Sequence, residues 1–205
     1  MGAEEALDRV YASSSDPESQ QELYNGWATS YERDLRDSGY ATPARLADLL
    51  AEHLSPGDDP ILDFGCGTGM SGKAMAHAGF TTIDGADLSP GMLEQAKLSG
   101  AYRQLWELTA GELDVTPGAY RAVVACGVIS AGAAPASALP LVATAVAPGD
   151  LLVFSFNDHT LEDADYMAAI DALLAADFEE LAAVRGVHIA ARDSESVVYV
   201  LRRRS

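Results

Sequence analysis

A short apolar run that breaks into three alternating glycines constrains this chain more than any other feature. It reads Ile61-Leu62-Asp63-Phe64-Gly65-Cys66-Gly67-Thr68-Gly69. The run predicts a buried strand and the glycines a tight loop. A residue without Cβ turns sharply and lets a ligand reach the backbone. A helix is expected over 70–78, so free N–H groups and a positive dipole end open onto the loop. Asp87 follows Gly67 by 20 residues and ends the next strand-like run, 81–86. A carboxylate at that strand end can accept both hydroxyls of a ribose. The segment therefore predicts a nucleoside site at the carboxyl edge of a sheet.

Further strands are expected at 102–106, 122–126 and 151–156. Helices are expected from Ser89-Pro90 and over 135–146, the second interrupted by Pro140. Such alternation argues for a parallel sheet covered on both faces. After a helix near 162–176, two strand-like runs, 181–190 and 196–202, flank a polar stretch and predict a hairpin. The expected fold is α/β, a doubly wound, mostly parallel seven-stranded sheet of Rossmann-like form with an antiparallel C-terminal edge. Residues 1–55 read as helical. Asp16-Pro17 and Thr42-Pro43 are N-cap-then-Pro signals, and Tyr24, Trp27 and Tyr31 share one helix face. The expected organisation is a helical cap over 1–55 and a nucleoside-binding domain over 56–205.

Charge removes some function classes. The 205 residues carry 31 acids against 13 bases, a formal charge of −18. Binding to nucleic acid or to anionic lipid needs Lys and Arg, so neither is expected. Cys66 and Cys126, each beside a strand-like run, are expected as reduced thiols. Residues 1–8 are acidic and lack the basic and apolar pattern of a signal peptide. The low-charge stretch 122–146 is broken by Gly127, Gly132, Pro135 and Pro140, so no membrane span is expected. A cytoplasmic location is the expectation; oligomeric state has no sequence signal.

Two ligands compete for the glycine loop. Gly67, Gly69 and Gly72 satisfy G-x-G-x-x-G with Asp87 at dinucleotide spacing, which fits an NAD(P)-binding oxidoreductase. The frame argues otherwise, because Gly65 already ends the strand and Asp63 precedes it. A carboxylate there would repel a pyrophosphate and suits a ligand bearing an ammonium or sulfonium.

Residues 61–69 resemble motif I of the class I S-adenosylmethionine-dependent methyltransferases. The similarity continues through Gly79-Phe80, Asp87-Leu88-Ser89-Pro90, Met92-Leu93, 120–128 and Pro148-Gly149-Asp150. More narrowly, residues 24–31 and 127–140 resemble one branch of that family. The resemblance implies that Asp63 and the loop Gly65-Cys66-Gly67 hold the methionine end of the cofactor. It implies that Asp87 binds the ribose, with Leu88, Met92, Glu107 and Leu108 around the adenine. Cys126 would offer a backbone contact near the amino-acid end, and Tyr24, Trp27 and Tyr31 would form a lid. Arg121 stands where the family usually has Asp, which bears on local packing.

A sulfonium methyl is already activated, so the protein mainly aligns the acceptor and excludes water. No catalytic residue stands out. His159 and Asp158, past the fifth strand, and Ser130, past the fourth, are candidates for meeting an acceptor. No metal site is expected. The strand end Ala125-Cys126-Gly127 lacks the motifs of base-amine, cytosine or magnesium-dependent catechol methylation. A small-molecule acceptor is therefore expected, with a protein side chain, or a non-catalytic cofactor-binding role, as other readings.

Overall fold

Leu62, Val123 and Leu152 lie in register on three neighbouring strands, and none is exposed. They mark the centre of a single sheet in a computed structural model described over residues 17–205, leaving aside the side chains of 17–20, 23 and 27–30. The strands are β1 (Ile61–Phe64), β2 (Ile83–Asp87), β3 (Gln104–Glu107), β4 (Ala122–Ala125), β5 (Leu151–Asn157), β6 (Phe178–Ile189) and β7 (Ser194–Arg203). Their order is β3-β2-β1-β4-β5-β7-β6. The first five are parallel; β7 runs antiparallel between β5 and β6. The expected seven strands and antiparallel edge are present. Strand order reverses between β1 and β4, the position where open α/β sheets bind ligands.

The helices are α1 (Pro17–Asp37), α2 (Thr42–His53), α3 (Met70–His77), α4 (Pro90–Ser99), α5 (Ala138–Ala143), α6 (Asp158–Leu161) and α7 (Ala164–Ala175). The two-residue period of the strands divides the core between two faces. Leu62, Val123 and Leu152 meet Leu139 and Val142 of α5 and Ile170 of α7. Ile61, Ile83 and Val124 meet Leu46 and Leu50 of α2 and Met75 of α3. Residues 42–53 thus pack as a covering layer of the sheet, whereas the cap was expected to extend over 1–55. In the described chain the element outside that layer is α1.

Some local expectations change. Thr42 does not cap α2; the cap position is Ala41, with no side-chain bond. The Thr42 hydroxyl is buried instead between His188 Nδ1 at 2.8 Å and Ser196 Oγ at 2.9 Å. Pro140 does not interrupt a helix over 135–146. It sits in the first turn of the shorter α5, where no N–H partner is required. Asp16 lies outside the described residues. Arg121 pairs with the buried Asp150 and ties the start of β4 to the turn before β5, which accounts for a cation at that place.

Tyr102, just before β3, is wedged against the glycine loop. A Cβ on Gly72 would lie 2.3 Å from its Cζ, and its hydroxyl is already pinned by Asp63. Gly69 and Gly72 therefore serve packing against Tyr102 rather than a pyrophosphate. Gly72→Ala is expected to destabilise the fold by about 1–3 kcal/mol through overpacking, despite alanine's better helix propensity. Urea unfolding checks this; an unchanged or raised midpoint would contradict the packing role.

Candidate active site

Gly65, Gly67 and Gly69 have φ of 68°, 55° and 92°, the left-handed region that favours glycine. Each has a different reason to lack a side chain. A Cβ on Gly65 would overlap Val128 at 2.2 Å, whereas one on Gly67 would meet nothing within 4 Å. The loop is thus packed at one end and open to a cavity at the other.

Asp87 ends β2 with both carboxylate oxygens engaged by backbone. Oδ2 accepts the Gly67 N–H at 2.8 Å and Oδ1 the Ser89 N–H at 2.8 Å. Burial raises its pKa above the ordinary range, and the backbone donors partly offset this. Each oxygen keeps another lone pair, so the carboxylate is oriented and can still accept two hydroxyls.

Asp63 lies beneath the loop at 1% exposure. Its Oδ2 accepts from Ser71 Oγ at 2.6 Å and Tyr102 OH at 2.7 Å, while buried Oδ1 has no partner. Burial lifts its pKa to about 6 against the pull of the two hydroxyls. Thr68 Oγ1 is likewise buried without a partner. Neither Asp63 nor Asp87 is ion-paired among the described residues.

A cavity of about 630 Å³ opens here, within the roughly 300–1,000 Å³ range of small-molecule sites. Gly65, Gly67, Asp87, Leu88, Met92, Leu108 and Cys126 line it, with Tyr24 and Tyr31 across from them. Asp63 and Cys66 lie behind the loop, outside the lining, with Cys66 at 3% exposure. Glu107 pairs with Asp87 in strand register but is exposed; its Oε1 is 3.5 Å from Gln21 Nε2. The Trp27 side chain lies outside the described residues.

Helix α1 is fixed over this edge. Gln21 Nε2 donates to Leu88 O at 2.5 Å, and Asn25 Oδ1 accepts from Ser89 Oγ at 2.6 Å and Gly91 N at 3.0 Å. Lys73 pairs with Glu32 at 2.8 Å. Sequence reasoning found the aromatic stripe but missed Gln21 and Asn25. Asn25 lay inside that stripe, yet a polar residue on a helix carries no sign of a partner 64 residues away.

The three catalytic candidates are not brought to the cavity. Asp158 is bound by Arg185 and by the Glu195 N–H, and His159 is exposed outside the lining. Ser130 is buried in a turn with Ala133 and Ala134. The lining adds residues that sequence reasoning left out, notably Val128, Ala134, Pro135, Ala138 and Leu141. Burial and the nearby Asp63 charge push the Cys126 thiol up to about 12. Among the described residues, no group of three His, Cys, Asp or Glu is arranged to hold a metal, and no helix is long and apolar enough to cross a membrane.

A family model described as a methyltransferase domain matches residues 62–152. Methyltransferase-like protein 27 of Homo sapiens is 34% identical over 176 residues, covering 83% of this chain and 71% of that protein. The chain belongs to the class I S-adenosylmethionine-dependent methyltransferases. Two solved structures share the fold. A TehB-like methyltransferase from Corynebacterium glutamicum has a TM-score of 0.62 at 22% identity, covering 88% of this chain and 98% of that one. A magnesium protoporphyrin IX methyltransferase from Synechocystis, solved with S-adenosylmethionine bound, has a TM-score of 0.61 at 19% identity, covering 83% of each.

The methyltransferase's own residues fit the cofactor. Asp87 has free lone pairs for ribose hydroxyls, and Leu88, Met92 and Leu108 offer apolar surface to an adenine. Two carboxylates without cations suit a ligand that brings an ammonium and a sulfonium.

The raised pKa of Asp63 has a consequence for stability. The folded chain keeps that proton up to about pH 6, the unfolded chain only to the ordinary 3.8, so stability falls as pH rises between them. The gap corresponds to about 3 kcal/mol. Denaturation across that window is expected to show a steeper decline in wild type than in Asp63→Asn, which keeps the raised carboxyls of Asp87 and Asp150. Parallel pH profiles would contradict a protonated Asp63.

Proposed function

We propose that the protein transfers a methyl group from S-adenosylmethionine to a small-molecule acceptor. The observation that carries this reading is the cavity itself: one space of small-molecule size joins the Asp87 edge to apolar residues of the segment after β4 and of α5, with Tyr24 and Tyr31 of α1 in the same lining. Gln21 and Asn25 bond α1 to the segment after β2 beside that space, which leaves less room for a macromolecular acceptor.

When bound, the cofactor supplies a methyl group already activated on sulfur. The protein's part is placement. Asp87, held by two backbone donors, fixes the ribose, and the Gly65 and Gly67 backbone borders the methionine end. Tyr24 and Tyr31, in edge contact with ring centroids 6.2 Å apart, cover the site and limit water. Cys126 stays protonated at neutral pH and takes no proton from an acceptor.

The glycine frame weighs against the oxidoreductase reading, since Gly69 and Gly72 face Tyr102. Calorimetry with S-adenosylhomocysteine tests the proposal. Micromolar-range binding by the unaltered protein is expected to fall at least about a hundredfold in Asp87→Ala, a loss of about 2.7 kcal/mol. Gly67→Val should abolish binding, because its side chain would stand in the cavity at a left-handed φ. Undiminished binding in both variants would remove the site, and saturable NADH binding without S-adenosylhomocysteine binding would favour the oxidoreductase.

A further inference from the structure

The connection between α1 and α2 is stitched to the end of β6. Ala41 N donates to His188 O at 2.9 Å, Ala190 N to Gly39 O at 3.2 Å and Ala191 N to Ser38 O at 3.0 Å. Tyr40 stands opposite Ile189 in this added bridge, and its own N–H donates to Leu35 O at 3.1 Å. Its ring meets His188 edge-on, with centroids 5.2 Å apart and the planes at 85°. His188 is itself buried and bonded to Thr42 at 2.8 Å. Backbone and ring are both fixed, so the hydroxyl at the tip of the side chain is held in one place.

That place adjoins the cofactor site. The Tyr40 hydroxyl oxygen lies 4.0 Å from Cys126 Sγ, and a Cβ on Gly127 would stand 2.6 Å from it. From β5, Ser155 Oγ accepts the Gly127 N–H at 2.9 Å. Cys126 and Gly127 line the cavity, and Tyr40, outside the lining, abuts both. The next residue, Val128, fills the space that a Cβ on Gly65 would take, 2.2 Å from its Cγ2. Close-packed atoms transmit a displacement rather than absorb it. A shift at 126–128 is thus passed to the first glycine of the loop. Burial and the Cys126 thiol push the Tyr40 hydroxyl well above its ordinary pKa, so it keeps its proton.

We infer that Tyr40 is a positioning residue for the amino-acid end of S-adenosylmethionine, acting through the backbone of Cys126 and Gly127. The inference rests on the methyltransferase reading above, in which the Gly65 loop borders the methionine end. Tyr40 limits how far the segment 126–128 can retreat from Gly65, and it ties that distance to the C-terminal hairpin. The nucleoside end is held elsewhere, by Asp87, Leu88 and Met92 between β2 and α4. Loss of the Tyr40 hydroxyl therefore weakens one end of the cofactor and spares the other.

Two ligands separate the ends: S-adenosylhomocysteine, and 5′-methylthioadenosine, which keeps the nucleoside and sulfur but lacks the amino acid. Calorimetry measures both on the full chain, with the thermal midpoint of each variant alongside. Tyr40→Phe is expected to weaken S-adenosylhomocysteine by about three- to tenfold, the scale of one hydrogen bond, and to leave 5′-methylthioadenosine within about twofold. A role in the fold alone would lower both together. Gly127→Ala sets a methyl group against the fixed hydroxyl and is expected to cost S-adenosylhomocysteine at least about tenfold. Adding Tyr40→Phe removes that obstruction, leaving Cζ 3.8 Å from the new Cβ, and should win back at least about threefold. A loss in Tyr40→Phe no greater for S-adenosylhomocysteine than for 5′-methylthioadenosine overturns the inference, whether or not Gly127→Ala folds. So does a double variant that binds no better than Gly127→Ala. No S-adenosylhomocysteine binding by the unaltered protein removes the methyltransferase reading itself, and the inference with it.

Discussion

The buried carboxylate of Asp63 organises the ligand edge. A carboxylate removed from water must find donors, and those it finds come from two distant places. Ser71 reaches it from the first turn of α3 and Tyr102 from the approach to β3. Once Tyr102 is drawn in, its hydroxyl also accepts the Gly72 N–H at 3.1 Å. Its ring fills the space that side chains on Gly72 and Gly85 would take. Loop, helix and the β3 approach thus share one polar centre. The centre remains incomplete, because Oδ1 has no donor. The same group that fixes the loop is therefore the one that gains most from a cation nearby.

The two N-terminal helices are held in different ways, and this bears on access. Helix α2 buries Leu46 and Leu50 completely, each worth about 1.5–3 kcal/mol. Among its described side chains, helix α1 makes polar contacts through Gln21, Asn25 and Glu32 and joins a small cluster in which Tyr24, Tyr31, Tyr40 and Met70 pack against Leu35 and Ile189. Hydrogen bonds of this kind contribute about 0.5–1.5 kcal/mol each, and exposed ion pairs about 1 kcal/mol or less. Local opening starts where such contacts are few and solvated.

The strands and their order of appearance were legible because each apolar run is short, bounded by turns and followed by a helical pattern. The frame of the glycine loop was legible because Asp63 and Gly65 fall on the strand end. What the sequence did not display were pairings across the chain. Tyr102 read only as the start of a strand, and Thr42 only as a cap signal, since neither Asp63 nor His188 is local to them. The apolar part of the cavity lining was also hidden. Val128 and Leu141 are ordinary apolar residues in the sequence, and only the fold brings them into one cavity with Asp87. Asp158 and His159 follow the ligand edge in sequence, but Arg185 and Glu195 of the C-terminal hairpin draw Asp158 aside.

The acid surplus is distributed with a direction. Near the amino edge of the sheet, Asp84 and Asp150 are buried and each has a cation of the protein's own. Burial pushes Asp84 up, but Arg103 and Tyr120 outweigh it and hold the carboxyl below its ordinary range. Asp150 has Arg121. At the carboxyl edge, Asp63 and Asp87 are buried with hydroxyl and backbone donors, and both have raised pKa values. Replacing those donors with an arginine would make the edge self-sufficient, as it is at Asp84, and leave no electrostatic reason to bind a cation. The sheet thus neutralises the acids at the edge that holds it together and leaves short of positive charge the two at the edge where its ligand sits. A cationic cofactor supplies what is missing there, and in doing so favours the ionised form of both carboxyls.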